Sequence, residues 1–210
     1  LSLGQIFDFP YFMRTNFNIQ LSSMWRETLI NIGREILQTA LISLGIFFFV
    51  YIFLVQPHRV KGESMVATFE DGELLLTEKV TYRIYKPKRG DIVVFQAPEQ
   101  KVDFIKRIVG LPGEEVKVAD GKVFINGDEL KEPYEPQKTE GYVNLVVPQD
   151  EYFVLGDNRG ASSDSRVFGT IQKSSVRGKV WLVYWPVFKN AMYDGWRRIL
   201  GIHYNVPEPF

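Results

Sequence analysis

Twenty consecutive residues, Ile36 to Val55, carry no charged side chain (ILQTALISLGIFFFVYIFLV). At the rise of a helix such a run covers about 30 Å, the thickness of a bilayer's hydrocarbon core. A soluble core helix of that length would normally show a polar stripe. A cleaved export signal fits poorly, because the run is long, lies deep in the chain and has no small-residue cleavage site behind it. The reading is one transmembrane helix over residues 36–55. Gln56-Pro57 marks its far end, since proline disfavours a helical residue before it. Upstream, Leu21, Trp25, Leu29 and Ile32 recur at helical spacing among Arg26, Glu27, Arg34 and Glu35. Residues 1–35 are therefore expected to hold an amphipathic lead-in helix, lying on the membrane or continuous with the span. Arg14, Arg26 and Arg34 precede the span, and Arg59 and Lys61 follow it. That charge distribution leans to a cytoplasmic N-terminus without deciding it.

Residues 56–210 read as one β-rich domain. Strand-like runs are Glu73–Thr77, Asp91–Phe95, Glu115–Val118, Lys122–Ile125, Asn144–Val147, Tyr152–Leu155 and Lys179–Tyr184. Turn pairs separate them: Asp71-Gly72, Arg89-Gly90, Asp120-Gly121, Asn126-Gly127 and Gly156-Asp157. Asp120-Gly121 and Asn126-Gly127 flank a four-residue run and predict hairpins. No helical periodicity of useful length occurs between residues 60 and 190. Aromatic residues gather in two places, Phe7 to Phe17 and Trp181 to Trp196. Core packing and contact with a membrane interface both account for them.

Composition removes several classes of function. The 25 basic and 25 acidic side chains cancel, which argues against a nucleic-acid partner. With no cysteine, disulfides, thiolate metal sites and cysteine catalysis are excluded. The two histidines, His58 and His203, stand beside the span and near the chain end, and neither sits in a catalytic setting. No metal and no cofactor are expected.

The remaining nucleophiles are serine, threonine, lysine and the carboxylates. Lysine serves as a base only when burial lowers its pKa, so the sign to look for is a lysine within an apolar strand. Lys106 fits, in Val102-Asp103-Phe104-Ile105-Lys106-Arg107-Ile108-Val109-Gly110. Alternation sets Phe104, Lys106 and Ile108 on one face and turns Arg107 to the other. Ser64 lies in Val60-Lys61-Gly62-Glu63-Ser64-Met65, nine residues past the span. Gly62 permits a tight backbone path and close approach of a substrate. Such a site would sit near the bilayer surface.

Taken together these segments resemble the type I signal peptidases, a serine–lysine dyad family. Gly62-Glu63-Ser64-Met65 with Thr68 resembles the nucleophile box, and Arg89-Gly90-Asp91-Ile92-Val93-Val94-Phe95 the strand box that follows. Phe104 to Glu114 is similar to the general-base box, and Gly156-Asp157-Asn158-Arg159-Gly160-Ala161-Ser162-Ser163-Asp164-Ser165-Arg166 to the last box. The resemblance implies a mainly β, signal-peptidase/LexA-like catalytic domain on the extracytoplasmic face of the plasma membrane, behind a single span. It implies that Ser64 attacks the scissile carbonyl and Lys106 takes its proton, with the Ser64 N–H helping to hold the oxyanion. Ser162 would orient the lysine amine. Asp164 and Arg166 would form a supporting ion pair, and Asp157, Asn158 and Arg159 would shape the loop. Met65, Phe69 and Ile105 would line substrate pockets, and Val60 and Lys61 would offer backbone to an extended substrate. The substrates would be signal-peptide-bearing preproteins, cut after small residues at positions −1 and −3.

Two positions depart from the family pattern. Ala67 stands where proline is common, so a fixed φ is absent there. Gly62 stands where one lineage has a serine whose hydroxyl completes the oxyanion hole. Two rivals remain: a soluble self-cleaving repressor relative on the same β fold, and a catalytically inactive membrane-anchored peptidase-like binding domain. The uncharged span argues against the first. The presence of both Ser64 and Lys106 argues against the second.

Overall fold

The structure is a computed structural model that describes residues 11–98, 101–134, 138–186, 197–198 and 204–206, with side chains from Met24 onward except at 197–198. Of the two aromatic groups, residues 7–10, the side chains of Tyr11, Phe12 and Phe17, and Phe188, Tyr193 and Trp196 lie outside the described residues. The chain divides into two units, Leu1–Val50 and Tyr51–Phe210.

The first unit is helical. Helix α1 runs unbroken over Tyr11–Phe53, through both the lead-in segment and most of the uncharged run. Its stretch Met24–Phe53 has a mean hydropathy of 2.2 and is long and apolar enough to cross a membrane. Leu29, Ile36, Leu41, Phe47 and Phe49 are exposed along it. The helix stops before Val55, the last residue of the uncharged run, which opens a strand instead.

The second unit is mainly β. Its larger sheet holds β1 (Val55–Arg59), β2 (Leu74–Glu78), β3 (Ile92–Gln96), β4 (Asp103–Gly110), β9 (Glu151–Leu155), β10 (Ile171–Gln172), β11 (Val176–Trp185) and β12 (Arg197–Arg198). The order is β1-β2-β11-β3-β4-β9-β10, with β12 also paired to β11. The smaller sheet is β7-β6-β5-β8, from β5 (Glu115–Ala119), β6 (Lys122–Ile125), β7 (Asp128–Glu129) and β8 (Val143–Val146). Among the described residues it also has two single-turn α-helices, α2 (Thr81–Ile84) and α3 (Ser165–Phe168), and two 3-10 turns at Arg159–Ala161 and Lys173–Ser175.

Residue pattern explains this division. β3 reads Ile-Val-Val-Phe without alternation because both its faces are covered. Ile92 and Val94 join a cluster with Val60, Met65, Phe69, Leu75, Val180 and Val183, whereas Val93 and Phe95 join Ile108, Leu111, Tyr152, Val154 and Ile171. β5 alternates instead, burying Val116 and Val118 and exposing Lys117, as expected of a strand with one wet face. A third cluster of Val109, Phe153 and Leu155 with Val116, Val118, Val123 and Ile125 joins the two sheets. Asp120-Gly121 and Asn126-Gly127 form the hairpin turns, with positive φ at all four residues.

The sequence reading missed β1. Gln56-Pro57 reads in sequence only as the end of the span, but the pair lies inside β1, an edge strand, where proline is tolerated.

Candidate active site

The loop between β1 and β2 carries Ser64 and is pinned at its base, where Val60 N donates to Glu73 O at 2.8 Å and Gly72 N to Val60 O at 3.0 Å. Two buried apolar anchors fix its course: Met65 and Phe69 insert into the core, and Phe69 N donates to Met65 O at 2.7 Å. Gly62, at φ +84°, turns the chain where its N–H donates to Asp71 Oδ1 at 2.7 Å. Ser64 is left half-buried between these anchors.

β4 brings Lys106 to it. In the register with β3, Lys106 lies opposite Val93 and Phe104 opposite Phe95. The Lys106 residue is buried, and its Nζ stands 2.7 Å from Ser64 Oγ and 5.3 Å from the centre of the Phe104 ring. Burial disfavours the charged amine and pulls its pKa down from 10.5 to about 8, against the opposing pull of Asp164 and Asp157. A large share of these lysines is therefore neutral at mildly alkaline pH, which is what a base for a serine hydroxyl needs.

The neighbouring Arg107 turns to the other side of the strand, as alternation requires. It donates to Asp157 from Nε at 2.8 Å and from an Nη at 2.6 Å, and to Gly90 O at 3.0 Å and Thr68 Oγ1 at 3.1 Å. The Thr68 hydroxyl donates to Asp157 in turn. A ring face of Tyr134 lies 3.9 Å from the guanidinium. A buried ion pair of this kind costs desolvation and is held by its completed hydrogen bonds.

The segment 156–166 closes the site. Asn158 N donates to Ser64 O at 3.0 Å, and its side-chain amide to Glu63 O at 3.1 Å. Gly156 carries no side chain for a local reason: a Cβ there would lie 2.6 Å from Ser64 O. Asp164 pairs with Arg166 at 2.8 Å and accepts from Gly156 N at 3.1 Å. Arg159 donates to Gly156 O at 2.9 Å and pairs with Glu132 at 2.6 Å. Asp157, Asn158 and Arg159 thus tie this segment to the Ser64 loop and to the smaller-sheet side.

Ser162 departs from its expected part. Its buried Oγ makes no hydrogen bond among the described residues, so it does not hold the Lys106 amine. The amine is directed at Ser64 instead, while the Ser162 side chain stands over Gly156.

A cleft of about 310 Å³ opens on Ser64 and Lys106, lined also by Val60, Lys61, Gly62, Glu63, Met65 and Ile105 among others. Arg59, Asp103 and Phe104 form part of its wall, with Ala161 and Ser163. Phe69 does not line it, being fully buried in the core beside Met65.

Sequence reasoning overlooked two partnerships. The Arg107–Asp157 pair joins residues assigned to separate boxes. Arg89 and Glu114 form a second buried pair at 2.6 Å, with Glu114 also accepting from Leu111 N at 2.8 Å. Arg89, Glu114 and Asp157 each abut a glycine, which was the available signal for them, whereas Arg107 lies inside β4 beside Lys106.

Comparison with known proteins gives a consistent picture. The family model described as "Signal peptidase, peptidase S26" matches residues 33–185. A probable signal peptidase I-2 from Synechocystis sp. is 37% identical over 169 residues, covering 77% of this chain and 75% of that protein. Signal peptidase I from Leptolyngbya laminosa is 38% identical over 144 residues, covering 64% and 71% respectively. Signal peptidase I from Bacillus licheniformis is 37% identical over 164 residues, covering 72% and 88%.

Proposed function

This chain belongs to the signal peptidase family, peptidase S26, and is a serine endopeptidase of the signal peptidase I kind; from that membership we propose that it removes signal peptides from exported precursors with a Ser64–Lys106 dyad. The observation that carries the dyad is the 2.7 Å contact between a half-buried serine and a buried lysine.

In this reading the neutral Lys106 amine takes the Ser64 proton as Oγ attacks the scissile carbonyl. The Ser64 N–H stabilises the developing oxyanion. Gly62 offers no side-chain hydroxyl, and its own N–H is engaged by Asp71, which leaves the backbone of Ser64 as the donor supported here. The protonated Lys106 then gives its proton to the leaving amine. It later draws a proton from the water that hydrolyses the acyl-enzyme. Asp164 and Arg166 hold the loop, and the ties from Asn158 to Ser64 and Glu63 hold the nucleophile.

Substrate binding follows the cleft. An extended chain running beside Val60 and Lys61 would pair with their backbone as an added strand. Met65 and Ile105 would wall the pockets for the residues at −1 and −3 and admit only small ones. The apolar part of α1 would anchor the enzyme by one pass, with residues 56–210 on the extracytoplasmic face of the plasma membrane. Trp181 and Trp185, exposed on β11, support contact with the bilayer interface.

The test is cleavage of a secretory precursor by the purified full chain in detergent, followed by N-terminal sequencing of the product. Cleavage after small residues at −1 and −3 supports the reading. No cleavage by a folded protein favours the inactive binding-domain alternative.

A further inference from the structure

Tyr204, Asn205 and Val206 lie beyond the part of the chain matched by the family, which ends at residue 185, yet they dock tightly on the β domain. Val206 is buried in the cluster that joins the two sheets. Asn205 is fixed at both ends of its amide: Oδ1 accepts from Lys131 N at 2.9 Å, and Nδ2 donates to Glu129 O at 2.9 Å. Tyr204 lies across Gly90 so closely that a Cβ on Gly90 would stand 2.6 Å from its ring.

That position is behind the dyad. The carbonyl of the same Gly90 accepts from Arg107 at 3.0 Å. The Tyr204 hydroxyl donates to Tyr134 Oη at 3.2 Å, and the Tyr134 ring faces the Arg107 guanidinium. Burial pushes the Tyr204 phenol up to about 12, so its proton stays in place across the working range. Arg107 and Asp157 are themselves buried, at 2% and 1% exposure. From Asp157 one residue leads to Asn158, whose N–H holds the Ser64 carbonyl, and from Arg107 one residue leads back to Lys106.

We infer that Tyr204 is a positioning residue: packed on Gly90 and bonded to Tyr134, it backs the two groups that hold Arg107, and so keeps the Arg107–Asp157 pair, the strand of Lys106 and the loop of Ser64 in one register. A pair sealed from water keeps fixed geometry, whereas a wet pair can exchange partners. A small displacement of reacting groups is enough to slow chemistry by one or two orders of magnitude. The inference rests on Lys106 acting as the base.

The experiment measures kcat, KM and the pH profile on a peptide spanning a signal cleavage site, with the full chain in detergent. Tyr204→Ala is expected to lower kcat about tenfold with little change in KM. The acid limb should move to higher pH. Water reaching the lysine environment favours its charged form, and a loosened Asp157, with Asp164 beside it, favours that form further. Asp103, Glu63, Arg59 and Lys61 also border the cleft and are common to both proteins. Tyr204→Phe keeps the ring over Gly90 and should restore most of the lost rate. If Tyr204→Ala does not fold, Asn205→Ala loosens the same strap at a distance and should give a smaller fall with the same shift. A lower melting temperature with an unmoved kcat and acid limb would overturn the inference. Full activity of Lys106→Ala, run beside them, would instead overturn the dyad itself.

Discussion

Lys106 Nζ lies 2.7 Å from Ser64 Oγ on a residue that is only 4% exposed. The contact crosses between two elements, a loop anchored by Met65 and Phe69 and a strand paired on both sides by β3 and β9. Ser64→Ala and Lys106→Ala should each reduce precursor cleavage by roughly a thousandfold or more. The double variant should be no worse than either single one, because the two act as a unit. Circular dichroism should show both variants folded. Additive losses in the double variant would speak against a dyad.

With Lys106 as the proposed base, its lowered pKa, about 8 against 10.5, predicts the pH dependence. Below pH 8 the amine is protonated and cannot act as a base, so kcat/KM should fall about tenfold per pH unit on the acid side. Above pH 8 it should level off. Stability carries the same signature. The folded state holds the lysine proton more weakly than the unfolded chain, so protonation penalises folding below pH 8. As pH rises from 8 to 10.5 that penalty is lifted, and stability should increase by roughly 3 kcal/mol from this group. Lys106→Met has no such group. Denaturation at pH 7 and pH 10 should show the wild type gaining on the variant at the higher pH.

How far these features could be read from sequence depended on their range. The hairpin pairs and the strand of Lys106 are local patterns, and each appears at nearly the expected residues, while the uncharged run from Ile36 is helical as far as Phe53 within a helix that begins much earlier. Lys122–Ile125 forms a strand with the bounds its alternation suggests. β7, β10 and β12 have two residues each, too few for any period to register. β1 was hidden by Pro57, whose tolerance at a sheet edge depends on topology. The pairing of Arg107 with Asp157, 50 positions apart, is likewise a product of the fold. Ser162 shows the limit of analogy, because the hydrogen bond that the motif implied for it is not made.

The Arg107–Asp157 pair gives a stability prediction. Removing one partner leaves the other charge buried and unpaired, a loss of about 3–5 kcal/mol. Arg107→Ala and Asp157→Ala should both lower the denaturation midpoint strongly. Replacing both with apolar residues of similar size, Arg107→Met with Asp157→Leu, should cost less than the sum of the two. Thermal melts of the four proteins measure the coupling. Equal effects from single and double replacements on exposed controls such as Lys122 and Glu129, a pair of exposed side chains, would be within about 1 kcal/mol.

The proposed specificity for small residues should reside in the wall contributed by Ile105. It sits on β4 immediately before Lys106 and lines the cleft, while its packing against the Met65 and Phe69 cluster prevents it from swinging aside. A side chain larger than alanine entering there would have to displace a group backed by the core, and close-packed cores yield poorly. Ile105→Ala removes that group from the pocket side and leaves the Ser64–Lys106 contact in place. Discrimination by size in an apolar pocket is worth about 1–3 kcal/mol per methylene, or 10- to 200-fold. The variant should therefore cleave precursors with valine or leucine at −1 or −3 relatively faster, with the ratio of kcat/KM for leucine over alanine rising at least tenfold. Competition between two precursors in one tube measures that ratio directly. If it stays at the wild-type value while the variant remains active, the small-residue filter is set by other cleft residues, with Met65 the next wall to replace.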